Sequence, residues 1–269
     1  MPFFIRENLN FRYLDRGSGV PVVFQHGLGG DAEKIFGLID LPAGFRLLGL
    51  DCRAHGKTTP IGPIEKIEFG CLADDVIAML DHLELNCAVC GGTSMGAGVT
   101  LNLALRYPKR VKGLVLLRPA WLDGPNPANV RLFDSIAELL REHGPIQGRE
   151  VFAGSELYAH LRQESADSAE SILALFEDPR ATETLARLER IPKGAPNWDR
   201  TQWRQIDVPT LVLGTQRDPI HPFEYAKIIA REIPNAEFEE LTPKSVNFAR
   251  YASELNSCLG AFLRKNFTC

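Results

Sequence analysis

The sequence predicts a doubly wound α/β fold: a mostly parallel sheet of eight strands with helices on both faces. Three observations carry that prediction. The interior strand candidates, among them Val22-Val-Phe24, Leu114-Val-Leu-Leu117 and Leu211-Val-Leu213, are apolar throughout instead of alternating, as in strands covered on both faces. Helical periodicity fills the gaps between them, and that alternation builds parallel sheets through crossover units. The segment Cys87–Gly91 also runs through Gly92-Thr-Ser94-Met-Gly96 directly into a helical stretch.

In chain order, strands are expected at Phe3–Arg6, Phe11–Asp15, Val20–Gln25, Arg46–Leu50, Cys87–Gly91, Gly113–Leu117, Thr210–Gly214 and Ala236–Leu241. The first two, joined by a short turn, read as an antiparallel edge. Leu72–Leu85 carries Leu72, Val76, Met79, Leu80 and Leu83 on one helical face. Further helices are expected at Met95–Tyr107, Pro222–Glu232 and Phe248–Lys265. Residues 120–205 break the alternation. After a turn-rich Pro119–Pro127 they carry helical patterns near Ala128–Glu142, Arg149–Arg162, Ser168–Phe176 and Arg180–Arg190. An all-helical block between two core strands reads as a cap over a site. The expected organisation is therefore a core of 1–119 and 206–269, with 120–205 as an inserted helical cap.

Bulk properties narrow the function. With 30 basic against 34 acidic residues the formal charge is −4, which favours neither nucleic-acid nor anionic-membrane binding. No leader with a basic region and apolar stretch precedes the first strand, and no apolar run is long enough to cross a bilayer, so the expected location is the cytoplasm. The six cysteines read as free thiols in that compartment. Cys87 and Cys90, three apart on a strand, point to opposite faces and cannot share a metal. No metal site and no cofactor is expected, the expected partner is a small-molecule substrate and neither nucleic acid nor membrane, and the oligomeric state is not readable from the sequence.

The chemistry gathers at strand ends, where open α/β sheets place ligands. The third strand ends in His26-Gly27-Leu28-Gly29-Gly30, the fourth in Asp51-Cys-Arg53-Ala-His55, the fifth at Ser94, and the seventh leads to Asp218-Pro-Ile-His221. Glycines on either side of Ser94 permit a strained strand-to-helix turn that exposes the hydroxyl at a helix N-terminus.

In the order and spacing of these four motifs the chain resembles the α/β-hydrolase superfamily, in particular its capped serine members, over residues 10–269. The resemblance implies Ser94 as nucleophile, the main-chain N–H groups of Leu28 and Met95 as oxyanion hole, and Asp218 as the acid. It implies that His26, His55 and Arg53 brace loops. Arg118, at the end of the strand before the cap, is a candidate for a substrate carboxylate or for an ion pair with the cap. Trp121, with Phe133, Phe152, Tyr158 and Phe176, suggests an apolar substrate pocket.

One part of the pattern is missing. The family places its histidine after the last strand, and Glu239-Glu-Leu-Thr-Pro243-Lys244-Ser245-Val-Asn247 contains none. A serine hydroxyl needs a neighbour to take its proton. His221, three residues past Asp218, and Lys244 are the candidates for that base. The expectation is a hydrolase acting on a small ester, thioester or lactone through an acyl-enzyme on Ser94. The alternatives are a ligand-binding protein on the same scaffold with turnover reduced or lost, and a different reaction, such as carbon–carbon hydrolysis or cofactor-free oxygenation.

Overall fold

The structure, a computed structural model, describes residues 2–267; Cys269, one of the six cysteines, lies outside them. The chain opens with β1 (Phe3–Arg6) and β2 (Leu9–Gly17), paired antiparallel. Glu7 and Asn8 between them both take positive φ, 51° and 64°, as a tight hairpin with right-handed strand twist requires. Then come β3 (Val20–Gln25), α1 (Ala32–Leu38), β4 (Phe45–Leu50), α2 (Phe69–His82), β5 (Ala88–Thr93), α3 (Met95–Arg106) and β6 (Val111–Leu117). After the helices described below, β7 (Thr210–Thr215), α8 (Phe223–Glu232), β8 (Ala236–Leu241) and α9 (Phe248–Phe267) complete the chain.

The eight strands form one sheet in the order β1-β2-β4-β3-β5-β6-β7-β8. β2 pairs antiparallel with β4, and β3 through β8 run parallel. The continuous apolar strands have their reason here. Val22 and Phe24 pack on one face with α1 and α9, while Val23 between them packs on the other with α2 and α3. Each such side chain removed from water contributes roughly 1.5–3 kcal/mol, so both faces demand apolar residues.

Two local differences from the sequence reading have physical causes. α1 has only seven residues, too short to show a period; Asp31 starts it by accepting the Lys34 N–H at 2.8 Å. α2 begins at Phe69, not Leu72, because Glu68 caps it by accepting the N–H groups of Gly70 and Cys71.

Between β6 and β7 lie α4 (Leu132–Ala153), α5 (Glu156–Glu164), α6 (Ala166–Leu173) and α7 (Ala186–Arg190). α4 breaks at Gly144 (φ 70°, ψ −178°), immediately before Pro145, which cannot continue the hydrogen-bond ladder. The stretch expected as a helix over Arg180–Arg190 is regular only in α7. Arginines tie this layer to the core: Arg187, 2% exposed, donates to the Ala54 carbonyl, and Arg180 donates to those of Gly56 and Thr58. No helix among the described residues is long and apolar enough to cross a membrane.

Candidate active site

The site starts at the join of β5 and α3. Ser94 takes φ 56° and ψ −116°, a strained conformation for a residue with a Cβ. Its N–H donates to the Leu117 carbonyl at 3.0 Å, which holds the turn against β6. The flanking glycines are required by contact: a Cβ on Gly92 would lie 2.2 Å from the Gly96 carbonyl carbon, and one on Gly96 would lie 2.3 Å from the Gln25 carbonyl oxygen. The Ser94 hydroxyl makes no hydrogen bond among the described residues.

The turn after β3 lies against this elbow, since a Cβ added to Gly27 would come within 3.3 Å of Ser94 Cβ. His26 fixes the turn. Its Nδ1–H donates to the Gly27 carbonyl at 2.8 Å, and its Nε2 accepts the Cys52 N–H at 3.1 Å, so both ring nitrogens are used. Burial pushes its pKa down, which keeps it neutral. Asp51 anchors the same region by accepting the N–H groups of Ala32 and Lys57, each at 2.8 Å. The N–H groups of Leu28 and Met95 donate to no acceptor among the described residues. Arg53 and His55 brace as expected: Arg53 grips Asp75 through Nε and Nη2 at 2.6 and 2.8 Å, and His55 Nδ1–H donates to the Arg53 carbonyl.

After β7, Asp218 and His221 face each other within one loop. His221 Nδ1 lies 2.9 and 3.0 Å from the two Asp218 oxygens. Arg118 donates to the same carboxylate from Nε at 2.8 Å; its Nη2 lies 2.5 Å from the same oxygen as an ion pair and 3.2 Å from His221 Nδ1. The Ile220 and His221 N–H groups and the Ser168 hydroxyl add further donors at 3.2–3.4 Å. Burial alone would raise the Asp218 carboxyl, but His221 and Arg118 outweigh it and hold the group well below the usual carboxylate range. An ionised carboxylate at 2.9 Å demands the proton on His221 Nδ1, which leaves Nε2 with its lone pair. Burial, reinforced by Arg118, lowers the His221 pKa, which favours the neutral ring.

Ser94, His221, Arg118 and Lys244 line one cavity of about 570 Å³, together with Leu28. Its size suits a small organic molecule.

A strained serine between two contact-forced glycines, at the carboxyl edge of a sheet with this strand order, can be compared directly with known proteins. The family model described as alpha/beta hydrolase fold matches residues 20–245. The chain belongs to the α/β-hydrolase fold family. It is 30% identical over 249 residues, 83% of each chain, to the AB hydrolase superfamily protein YisY of Bacillus subtilis. It is 24% identical to 3-oxoadipate enol-lactonase 2 of Acinetobacter baylyi, over 80% of this chain and 77% of that one. A solved esterase of Thermogutta terrifontis superposes with a TM-score of 0.69 at 25% identity, covering 97% of this chain and 95% of that one. By this membership the protein is an enzyme of hydrolase type.

Within this α/β hydrolase, several sequence-predicted residues stand elsewhere than expected. Trp121 is a correction: it is 2% exposed, packs edge-on against Phe69 with ring centroids 5.3 Å apart, and does not line the cavity. Phe152 likewise packs against Tyr158 and Phe176; of the five aromatics, Phe133 alone lines the cavity. Arg118 lines it, but its fork is engaged by Asp218, and the nearest carboxylate from the helices above, Asp167, is 3.8 Å away. His221 makes no hydrogen bond to Ser94. Cys87 and Cys90 are free, as read. Sequence reasoning missed Asp167 and Ser168 at the start of α6, which reach the Arg118–Asp218 pair. In sequence they are two polar residues on an amphipathic helix, and nothing distinguishes them from a solvated face.

Proposed function

We propose that the protein is a serine hydrolase acting on a small carboxylic ester, thioester or lactone. Ser94 attacks the substrate carbonyl, and His221, oriented by Asp218, takes the serine proton and returns it to the leaving group. The Leu28 and Met95 N–H groups, unpaired among the described residues, receive the developing oxyanion. Water then attacks the acyl-enzyme, with the same imidazole as base. The helices of 120–205 act as a cap that keeps bulk water from the cavity, between core segments 1–119 and 206–269. The observation that carries the reading is the paired His221 Nδ1 and Asp218 at 2.9 Å, which supplies the family's missing base from a different loop. Lys244 fits the role of base less well: its nearest carboxylate, Asp167, is 3.9 Å away and does not hydrogen-bond it, whereas Asp218 orients His221 at 2.9 Å. Arg118 acts by holding Asp218 and not by meeting substrate.

A fluorophosphonate probe tests this. Wild type labels, Ser94→Ala does not, and His221→Ala labels at least about 100-fold more slowly, the usual worth of a general base. Wild type that resists the probe refutes the proposal.

The open Ser94 hydroxyl favours one second reading, a ligand-binding protein with lost turnover. Such a protein is stabilised thermally by its ligand without forming product. The hydroxyl's lack of a partner is equally the state of catalytic hydrogen bonds that tighten only on substrate binding.

A further inference from the structure

We propose that the ligand of this cavity is a monoanion, an ester or lactone bearing a carboxylate, and that Lys244 and Tyr251 hold that carboxylate. The inference deepens the hydrolase reading and rests on it.

Lys244 stands in the loop between β8 and α9 with its side chain 20% exposed, and it lines the cavity. Its ammonium sits over the rings of Tyr251 and Phe248, 5.4 and 5.8 Å from their centroids, which fixes its place. It donates no hydrogen bond among the described residues, and its nearest carboxylate, Asp167, lies 3.9 Å away. Tyr251 also lines the cavity; it is fully buried beside Arg118, and its hydroxyl donates to no acceptor among the described residues. A desolvated ammonium and a buried hydroxyl both without acceptors are each unfavourable. One carboxylate would satisfy both.

The other charges around the cavity are already engaged or at the rim. Arg118 is held by Asp218, and Asp167 is shared loosely between Arg118 and Lys244. Lys34 and Glu170 are exposed, Lys34 donating to the Gly29 carbonyl and Glu170 accepting the Tyr158 hydroxyl. With Arg118 neutralised by Asp218 and Lys34 at the rim, Lys244 is the charge in the lining left to meet one negative charge. Burial and Arg118 weaken the charge on Lys244, and a bound anion would restore it.

The test uses monomethyl glutarate and its neutral counterpart dimethyl glutarate. Titration calorimetry on the Ser94→Ala protein should show the monoester bound at least ten-fold tighter than the diester, with affinity falling as salt rises. Lys244→Met should abolish that preference, Tyr251→Phe should reduce it several-fold at unchanged volume, and Lys244→Arg should keep most of it. A diester that binds as tightly, a monoester that does not bind, or a preference that survives Lys244→Met overturns the inference. Wild type that binds the monoester through Lys244 yet hydrolyses neither ester refutes the hydrolase reading alone and supports the anion site.

Discussion

Replacing Arg118 with methionine removes the charge that holds Asp218 while keeping an unbranched chain in its space. Asp218 is 4% exposed, and Arg118 donates to it from Nε at 2.8 Å with Nη2 2.5 Å from the same oxygen. Removing one partner of a buried ion pair costs about 3–5 kcal/mol, because the remaining charge is left in a poor solvent. Asp218 keeps its bonds from His221, Ile220 and Ser168, so the low end, about 3 kcal/mol, applies. At about 2–4 °C per kcal/mol for a chain of this size, Tm should fall by about 6–12 °C at pH 7. The pH dependence has a definite sign. A carboxyl depressed in the folded state contributes stability that is present above its unfolded value, near 3.9, and is lost as pH falls through the folded value. Arg118→Met raises the folded value, so the deficit against wild type holds from neutral pH down to the variant's folded value and narrows only below it. Arg118 also lowers the His221 pKa, so the acid limb of kcat/KM should move to higher pH in the variant. Differential scanning calorimetry from pH 7 to pH 3 decides the stability claim. A Tm loss below about 2 °C at pH 7, or a deficit that already vanishes between pH 7 and pH 5, would refute the account of Asp218.

Two further outcomes are expected. Ser94→Gly should lose probe labelling yet raise Tm by about 2–4 °C, because glycine relieves the positive φ of the elbow, worth about 1 kcal/mol after its own entropy cost; a fall in Tm would mean the elbow stores no strain. Trp121→Ala should cost about 3–5 kcal/mol of stability by opening a void beside Phe69, measured by urea denaturation, whereas a substrate-binding residue would change KM and leave stability intact.

The fold was legible because its signals are local or periodic. The continuous apolar runs of β3, β6 and β7 reflect burial on both faces, and the Gly92-Thr-Ser94-Met-Gly96 segment reports a contact between its own glycines and the end of β3. α1 was not legible, since seven residues give two turns and its start rests on one capping aspartate. The site was legible only in part. Ser94 and Asp218 follow from position at strand ends. The purpose of His221 does not, because proline, isoleucine and histidine after an aspartate fit equally a helix start, and only the folded loop turns Nδ1 onto the carboxylate. The reading of Trp121 failed for a related reason: an aromatic near a cap can face either the cavity or the core, and which one depends on where α2 places Phe69.

The sequence by itself determined the sheet, the elbow and the absence of a histidine after β8, because each is written in neighbouring residues or in their order. Tertiary structure alone decided which groups gather beside Ser94 in the absence of that histidine. It brought Arg118, Asp218 and His221 into one hydrogen-bonded cluster across a hundred residues of chain, and it set Lys244, in the loop that lacks the histidine, against the ring of Tyr251 beside the same cavity. Charges and hydroxyls act through distance and burial, and neither is encoded by the identity of a single residue.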